Sequence, residues 1–119
     1  MADGIVKDKS KKFALRIIKL YKHLSDDKRE FVMSKQLLRC GTSIGANICE
    51  ADHAMSKKEF VAKMNISLKE AAESEYWLEL LYESEYITQS EFASMNKDCG
   101  EIKGLLISII RTANKNLGQ

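Results

Sequence analysis

Residues 36–51 read QLLRCGTSIGANICEA, and in this segment small and polar residues stand where a helix core usually holds large apolar ones. Each glycine in a helix interior costs about 1 kcal/mol relative to alanine, so Gly41 and Gly45 indicate that a backbone or a bulky side chain packs closely against this helix. Residues on one face recur at alternating steps of three and four, as in packed helices. They are Leu37, Gly41, Ile44, Ile48, Ala51 and Met55.

The same periodicity continues through the chain and predicts an all-α fold, an antiparallel up-down-up-down four-helix bundle. We predict helices over about residues 10–24, 31–55, 57–85 and 89–115. The first helix carries the apolar row Phe13, Ile17, Leu20 and Leu24. The last carries the row Phe92, Met95, Cys99, Ile102, Leu106, Ile109 and Ala113.

Two capping boxes mark the starts of the later helices. Ser56 and Glu59 stand three residues apart before the third helix, and Thr88 and Glu91 do so before the fourth. In such a box the hydroxyl and the carboxylate each accept a hydrogen bond from a free backbone amide of the other residue. The connection before Thr88 is very short, which predicts that the third and fourth helices are antiparallel neighbours.

Composition limits the class of protein. A chain of 119 residues with no proline and 45% hydrophobic residues fits one helical domain, residues 1–119. No run approaches the roughly 18 apolar residues that span a bilayer, and no signal peptide opens the chain, so we expect a cytoplasmic protein with no membrane partner. Three cysteines, an odd number, favour reduced thiols over a disulfide framework. All three are predicted to be small fillers of the core.

The opening stretch resembles a pattern of the 23S rRNA intervening sequence protein family, whose members are four-helix bundles. The matching positions are Gln36, Leu37, Arg39, Ser43, Ile44, Asn47, Ile48 and Glu50. Residues 68–81 are similar to the third helix of that family, and the resemblance extends over roughly residues 10 to 115. It implies a pentameric assembly and a nucleic-acid context. Some relatives are encoded within inserts of ribosomal RNA genes, and others accompany a reverse transcriptase as basic pentameric barrels.

A basic stripe on the first helix is the candidate for contact with RNA or DNA. It contains Lys12, Arg16, Lys19 and Lys22, with His23 beside them. Residues 1–58 hold 13 Lys or Arg against 7 Asp or Glu, and residues 59–119 hold 6 against 10. The alternative is a solvated helix face whose lysines meet acidic residues of the third helix. No aromatic residue interleaves with the stripe, so the stacking that single-strand binding needs is not visible.

A polar strip on the second helix is predicted to form a structural network. Arg39 is expected to pair with a carboxylate of the third helix, while Ser43 and Asn47 complete buried hydrogen bonds that fix the helix register. The alternative is a pocket for a ligand or a partner. The whole strip comprises Arg39, Ser43, Asn47 and Glu50, together with Glu70 and Glu73.

Surplus apolar residues on the last two helices predict a homo-oligomer. A helix that is apolar on more than one face is usually buried on more than one face. The alternative is a thicker core within one chain. The candidate interface residues are Trp77, Leu80, Leu105, Ile107 and Ile110.

Catalytic and metal-binding patterns are weak. Glu50 and His53 form one Glu-x-x-His step, whereas di-iron bundles use that step twice. We therefore expect no metal, no cofactor and no enzymatic activity. The predicted function is an oligomeric binding or scaffold protein that accompanies RNA, DNA or a nucleic-acid enzyme. The alternative is a protein-protein interaction module without a nucleic-acid role, and a ligand-binding bundle would require a cavity with converging polar groups.

Overall fold

Four antiparallel helices form a bundle in the computed structural model, which describes residues 4–117. They are α1 (Gly4–Asp26), α2 (Met33–Ala51), α3 (Lys57–Glu83) and α4 (Gln89–Leu117). The described residues contain no strand, and the molecule measures 51 × 21 × 20 Å. The predicted all-α four-helix fold is confirmed.

The helices pack around a square in chain order. Each helix contacts its two neighbours, α4 also packs on α1, and the diagonal pairs α1/α3 and α2/α4 do not pack within the described residues. The antiparallel directions follow from the ion pairs that cross each seam: the start of α1 meets the end of α2 through Lys7 and Asp52, at 2.6 Å. The end of α2 meets the start of α3 through Glu50 and Lys63, at 2.8 Å.

The predicted core rows lie in the interior, with one exception. The whole row of α1 is buried, and so is the row of α2 from Leu37 to Ala51. Met55 is 91% exposed, because α2 ends at Ala51 and the chain then turns into the cap of α3. The α4 row is buried at four positions and half-buried at Phe92, Ile109 and Ala113.

The predicted helix bounds need two corrections. α1 begins at Gly4, not near residue 10, because Val6 and Ser10 continue the buried row of this helix toward the amino terminus. α2 covers Met33–Ala51, not residues 31–55, because a side-chain cap precedes it and Ser56 already caps α3. The early start of α1 is hard to predict from apolar periodicity, because Lys7 and Lys9 lie between Val6 and Ser10.

The two glycines of α2 lie where α1 approaches most closely. A Cβ atom on Gly41 would stand 2.8 Å from Ile17 Cγ1 and 3.0 Å from Ile17 Cγ2. A Cβ atom on Gly45 would stand 3.2 Å from the hydroxyl of Ser10, which is itself buried. The close packing predicted from these glycines is therefore confirmed.

The predicted capping box of Thr88 and Glu91 forms in full, and that of Ser56 and Glu59 forms only in half. The Ser56 hydroxyl accepts from the Glu59 amide at 3.1 Å, although the Glu59 carboxylate accepts from the amide of Met55, not of Ser56. Thr88 and Glu91 bond reciprocally, at 3.1 Å and 2.8 Å. These bonds satisfy amides that the first turn of each helix leaves free.

A third cap, which the periodicity argument missed, opens α2. The buried carboxylate of Glu30 accepts hydrogen bonds from the amides of Val32, Met33 and Ser34, at 3.2, 3.0 and 2.7 Å. Burial by itself would raise the pKa of Glu30, but these amides outweigh burial and the pKa is lowered. The Ser34 hydroxyl donates to the Glu30 carbonyl at 2.8 Å, so the loop is tied at both ends.

Candidate nucleic-acid interface

The outer side of α1 is lysine-rich because its apolar row is turned toward the bundle. Lys11, Lys12, Lys19 and Lys22 are exposed around Leu15, which is itself 58% exposed. We call these five residues the lysine face. Lys12 pairs with Asp8 one turn away, at 3.0 Å, and the other three lysines form no ion pair within residues 4–117. An exposed pair of this kind is worth less than about 1 kcal/mol, so all four ammonium groups are accessible to phosphate.

Arg16 and His23 lie apart from the lysine face. Arg16 points into the seam with α4, where it donates to the Asp98 carboxylate and, at 2.8 Å, to the Ser94 hydroxyl. The ring of His23 bonds to Asp27 at 2.8 Å. Arg16 therefore serves contacts between helices, and its assignment to the nucleic-acid stripe stays a prediction. Its acidic partner comes from α4, and not from the third helix, since α1 and α3 are diagonal.

A shallow groove runs between α1 and α2. Small residues line it because Gly45 and Ala46 of α2 face Ser10 and Ala14 of α1, and Lys11 stands at its rim. Cys49 is exposed in this groove, so its prediction as a core filler is wrong. Cys40 and Cys99 are buried as predicted.

The loop between α1 and α2 presents an exposed aromatic ring. Phe31 is 44% exposed and Val32 is 72% exposed. The guanidinium carbon of Arg29 lies 5.1 Å from the centroid of the Phe31 ring, a cation–π distance. Arg29 has a backbone φ of 58°, which is uncommon outside glycine. Phe31 lies in this loop and not inside the second helix, where its place in the sequence predicts it, and the nearby Lys28 and Arg29 are the sequence signal that marks it as a candidate.

The predicted polar strip is brought together only in part. Arg39 contacts Glu70 at 3.4 Å and donates to the carboxylate of Glu73, which also accepts from the Trp77 indole at 3.0 Å. The indole hydrogen bond and then Arg39 lower the pKa of Glu73, and the bond with Glu73 raises the pKa of Arg39. Half of the Arg39 side chain is exposed, so this cluster is a surface ion-pair network.

Ser43, Asn47 and Glu50 do not join that network. Ser43 and Asn47 bond to backbone carbonyls one turn earlier in their own helix, at 2.6 and 2.8 Å, and Glu50 pairs with Lys63. The prediction that Ser43 and Asn47 complete a buried network between helices is wrong. Short polar side chains in a helix can form their hydrogen bonds with carbonyls of the preceding turn, and residue spacing alone does not distinguish those bonds from bonds to another helix. The hydroxyls that do cross the seam are those of Ser67, which donates to the Ile44 carbonyl at 2.8 Å, and Ser74, which donates to the Cys40 sulfur.

The candidate interface residues fall into different environments. Ile110 is buried in the core of one chain, so it is not available to a second chain and that assignment is corrected. Trp77 and Leu105 are partly buried against the core, and Leu80 is half-buried. Ile107 is exposed, as is Tyr76, which the sequence analysis did not single out.

Residues 4–117 show no metal-ligand cluster, no reactive buried thiol and no membrane-spanning helix. Residues 4–117 contain no group of three or more His, Cys, Asp or Glu that could hold a metal ion, and none of their buried polar side-chain atoms lacks a hydrogen-bond partner. Burial raises the pKa of Cys40 to about 11 and that of Cys99 to about 12, so neither thiol forms a thiolate at neutral pH. No helix among these residues is long and apolar enough to cross a membrane.

The structure is a small four-helix bundle whose lysine face and Arg39–Glu73 ion-pair network lie on its outer surface. The chain belongs to the 23S rRNA-intervening sequence protein family, and the match covers residues 2–108. It is also similar to a crystal structure of a protein of unknown function from the S23 ribosomal protein family of Bacteroides thetaiotaomicron VPI-5482. The two are 60% identical, with a TM-score of 0.91 over 93% of this chain and 99% of the other. A comparison with curated proteins finds no match.

Proposed function

We propose that this chain is a non-enzymatic, self-associating scaffold that contacts RNA or DNA through the lysine face of α1. The observation that carries the proposal is the set of exposed lysines on α1, none of which pairs with a carboxylate of the diagonal helix α3 within residues 4–117. Neutralising phosphates with such lysines releases condensed counterions, which favours binding without a pocket. The family's description refers to an intervening sequence of 23S rRNA, and a nucleic-acid partner agrees with that context.

Self-association would multiply this surface. One lysine face covers few phosphates, whereas five copies in a ring present five faces to one strand, and linked sites bind far more tightly than single ones. Apolar area for contacts between chains comes from exposed Ile107 and Tyr76, with half-buried Trp77 and Leu80 near Tyr76 in sequence. A pentamer is the assembly that we propose, in the cytoplasm, where the three thiols stay reduced.

The test compares two triple variants of equal charge. In the first, Lys12, Lys19 and Lys22 are changed to glutamine. In the control, three exposed lysines of α3 are changed in the same way: Lys57, Lys58 and Lys69. Binding of labelled duplex DNA and RNA is measured by fluorescence anisotropy at several salt concentrations. The first variant should bind more weakly to every sequence, and its log–log salt slope should be flatter by up to about 2.7, at about 0.9 per phosphate on duplex DNA.

Equal affinities and slopes for the two triple variants would show that the lysine face is not the contact surface. A specific observation favours a second candidate, a protein-interaction module without a nucleic-acid role. Leu15 lies exposed at the centre of the lysine face, and an apolar side chain adds nothing to phosphate binding. Absence of nucleic-acid binding by the parent at low salt would favour this candidate.

A further inference from the structure

We infer that the preferred ligand is a single-stranded nucleic acid that follows the seam between α1 and α2 and stacks a base on Phe31. This inference rests on the nucleic-acid function proposed above and specifies its substrate class and path. Phe31 and Arg29 together are called the Phe31 platform. Proteins that bind single strands combine aromatic side chains, on which bases stack, with a positively charged groove that follows the backbone.

The loop that carries the platform is held rigid. Three amides bond to the buried carboxylate of Glu30, and the Glu30 amide donates to the Leu24 carbonyl at 2.9 Å. This bracing fixes the backbone on both sides of Phe31 while the ring stays nearly half exposed. An aromatic ring held in place before binding loses little conformational freedom when a base stacks on it. The guanidinium of Arg29 over the ring adds a positive charge where a phosphate would follow the base.

Positive charge continues from the platform along the seam. Lys35 is exposed in the first turn of α2, and Lys22 is exposed in the last turns of α1. Lys11 precedes Lys22 by eleven residues, which is three helical turns, so both lie on the same line along α1. Lys11 borders the groove lined by small residues of both helices. The lysines at the two ends of this line are separated by about 16 Å along the helix, at about 1.5 Å per residue.

Negative charge at the groove is already neutralised within the chain. Asp8 borders the groove and pairs with Lys12 at 3.0 Å. Asp52, at the end of α2, pairs with Lys7 at 2.6 Å. The groove therefore presents a net positive edge to a backbone that follows it. A duplex keeps the faces of its bases stacked inside, so only an unpaired strand can offer one to the Phe31 platform.

The experiment measures the affinity of single-stranded and duplex oligonucleotides of the same sequence for Phe31 variants. Phe31→Ala should weaken single-strand binding about tenfold, within the range measured for one stacked base, and leave duplex binding unchanged. Phe31→Leu should behave like the alanine variant because it keeps bulk but lacks a π face. Phe31→Trp should retain parental affinity or exceed it. Circular dichroism checks that all variants melt as the parent does, which is expected because the ring is exposed.

Val32→Ala is the matched control, since it removes exposed apolar bulk from the same loop without touching the ring and should leave single-strand affinity unchanged. If Phe31→Ala binds single strands as the parent does while the Lys12, Lys19 and Lys22 variant binds weakly, the stacking inference is wrong and the proposed function stands. If the parent prefers duplex, the inference is likewise wrong. If the parent binds neither form at low salt, both proposals fail together.

Discussion

Gly41→Ala tests the close contact between α1 and α2. The added methyl would stand 2.8, 3.0 and 3.2 Å from three carbons of Ile17, all closer than ordinary van der Waals contact. Ile17 is fully buried and branched at Cβ, so it has no free rotamer into which it can move. Overpacking costs about 1 to 3 kcal/mol, against a gain of about 1 kcal/mol in helix propensity. We expect the free energy of unfolding to fall by roughly 1 kcal/mol.

Urea denaturation at one fixed protein concentration measures this change, because self-association would make stability depend on concentration. Gly104→Ala is the matched control: its Cβ meets nothing within 4 Å, so the same substitution should raise stability by up to about 1 kcal/mol. In an Ile17→Ala background the clash disappears, and Gly41→Ala should then stabilise as the control does. Equal stabilisation by Gly41→Ala and Gly104→Ala in the parent background would show that Ile17 leaves room for a methyl group at position 41.

Three further predictions concern the cap, the assembly and the thiols. Glu30→Gln should lower the free energy of unfolding by about 1 to 3 kcal/mol at pH 7. Because the pKa of Glu30 is lowered in the folded protein, the parent's advantage is complete above the unfolded pKa of about 4.3 and is lost as pH falls through the folded pKa. Urea titrations at pH 7 and pH 3 measure this difference. Light scattering should find about five 13.5 kDa chains in the parent and fewer after Tyr76→Lys with Ile107→Lys, and a monodisperse parent monomer contradicts the assembly. A thiol reagent should modify Cys49 rapidly and the two buried thiols only after unfolding, so rapid reaction of all three in the folded protein would show an open core.

The core could be predicted from the sequence because helical periodicity repeats over many turns. The buried rows of α1 and α2 and the glycine contact all follow from steps of three and four, which chance rarely produces. The ends of helices were harder to predict because they depend on single side chains. Glu30 caps α2 from the preceding loop, and a single loop glutamate is not part of any periodic pattern. Because of this cap, α2 begins at Met33.

The polar surface could be predicted only coarsely, because a polar residue has several ways to satisfy its hydrogen bonds. The pairing of Arg39 with glutamates of α3 could be predicted because it requires only that the polar residues of α2 and of α3 face each other. Ser43 and Asn47 had a local alternative, the carbonyl one turn earlier, and they take it. Spacing along a helix assigns a side chain to a face, but the choice between a neighbouring helix and the residue's own backbone depends on distances that appear only when the helices pack.

The lysine face illustrates how helix order decides which charges remain available. The acidic residues of the second half of the chain are concentrated on α3, and a charge count alone suggests that they neutralise the lysines of α1. In a four-helix square the first and third helices are diagonal, so the carboxylates of α3 meet α2 and α4 through Arg39 and Lys103. Basic residues of α1 meet acids of other elements only at its seams, through Arg16 and Lys9 on the α4 side and through Lys7 on the α2 side, within the described residues. The lysines on the outer side consequently keep their charge toward solvent, where an anionic partner or a second chain can reach them.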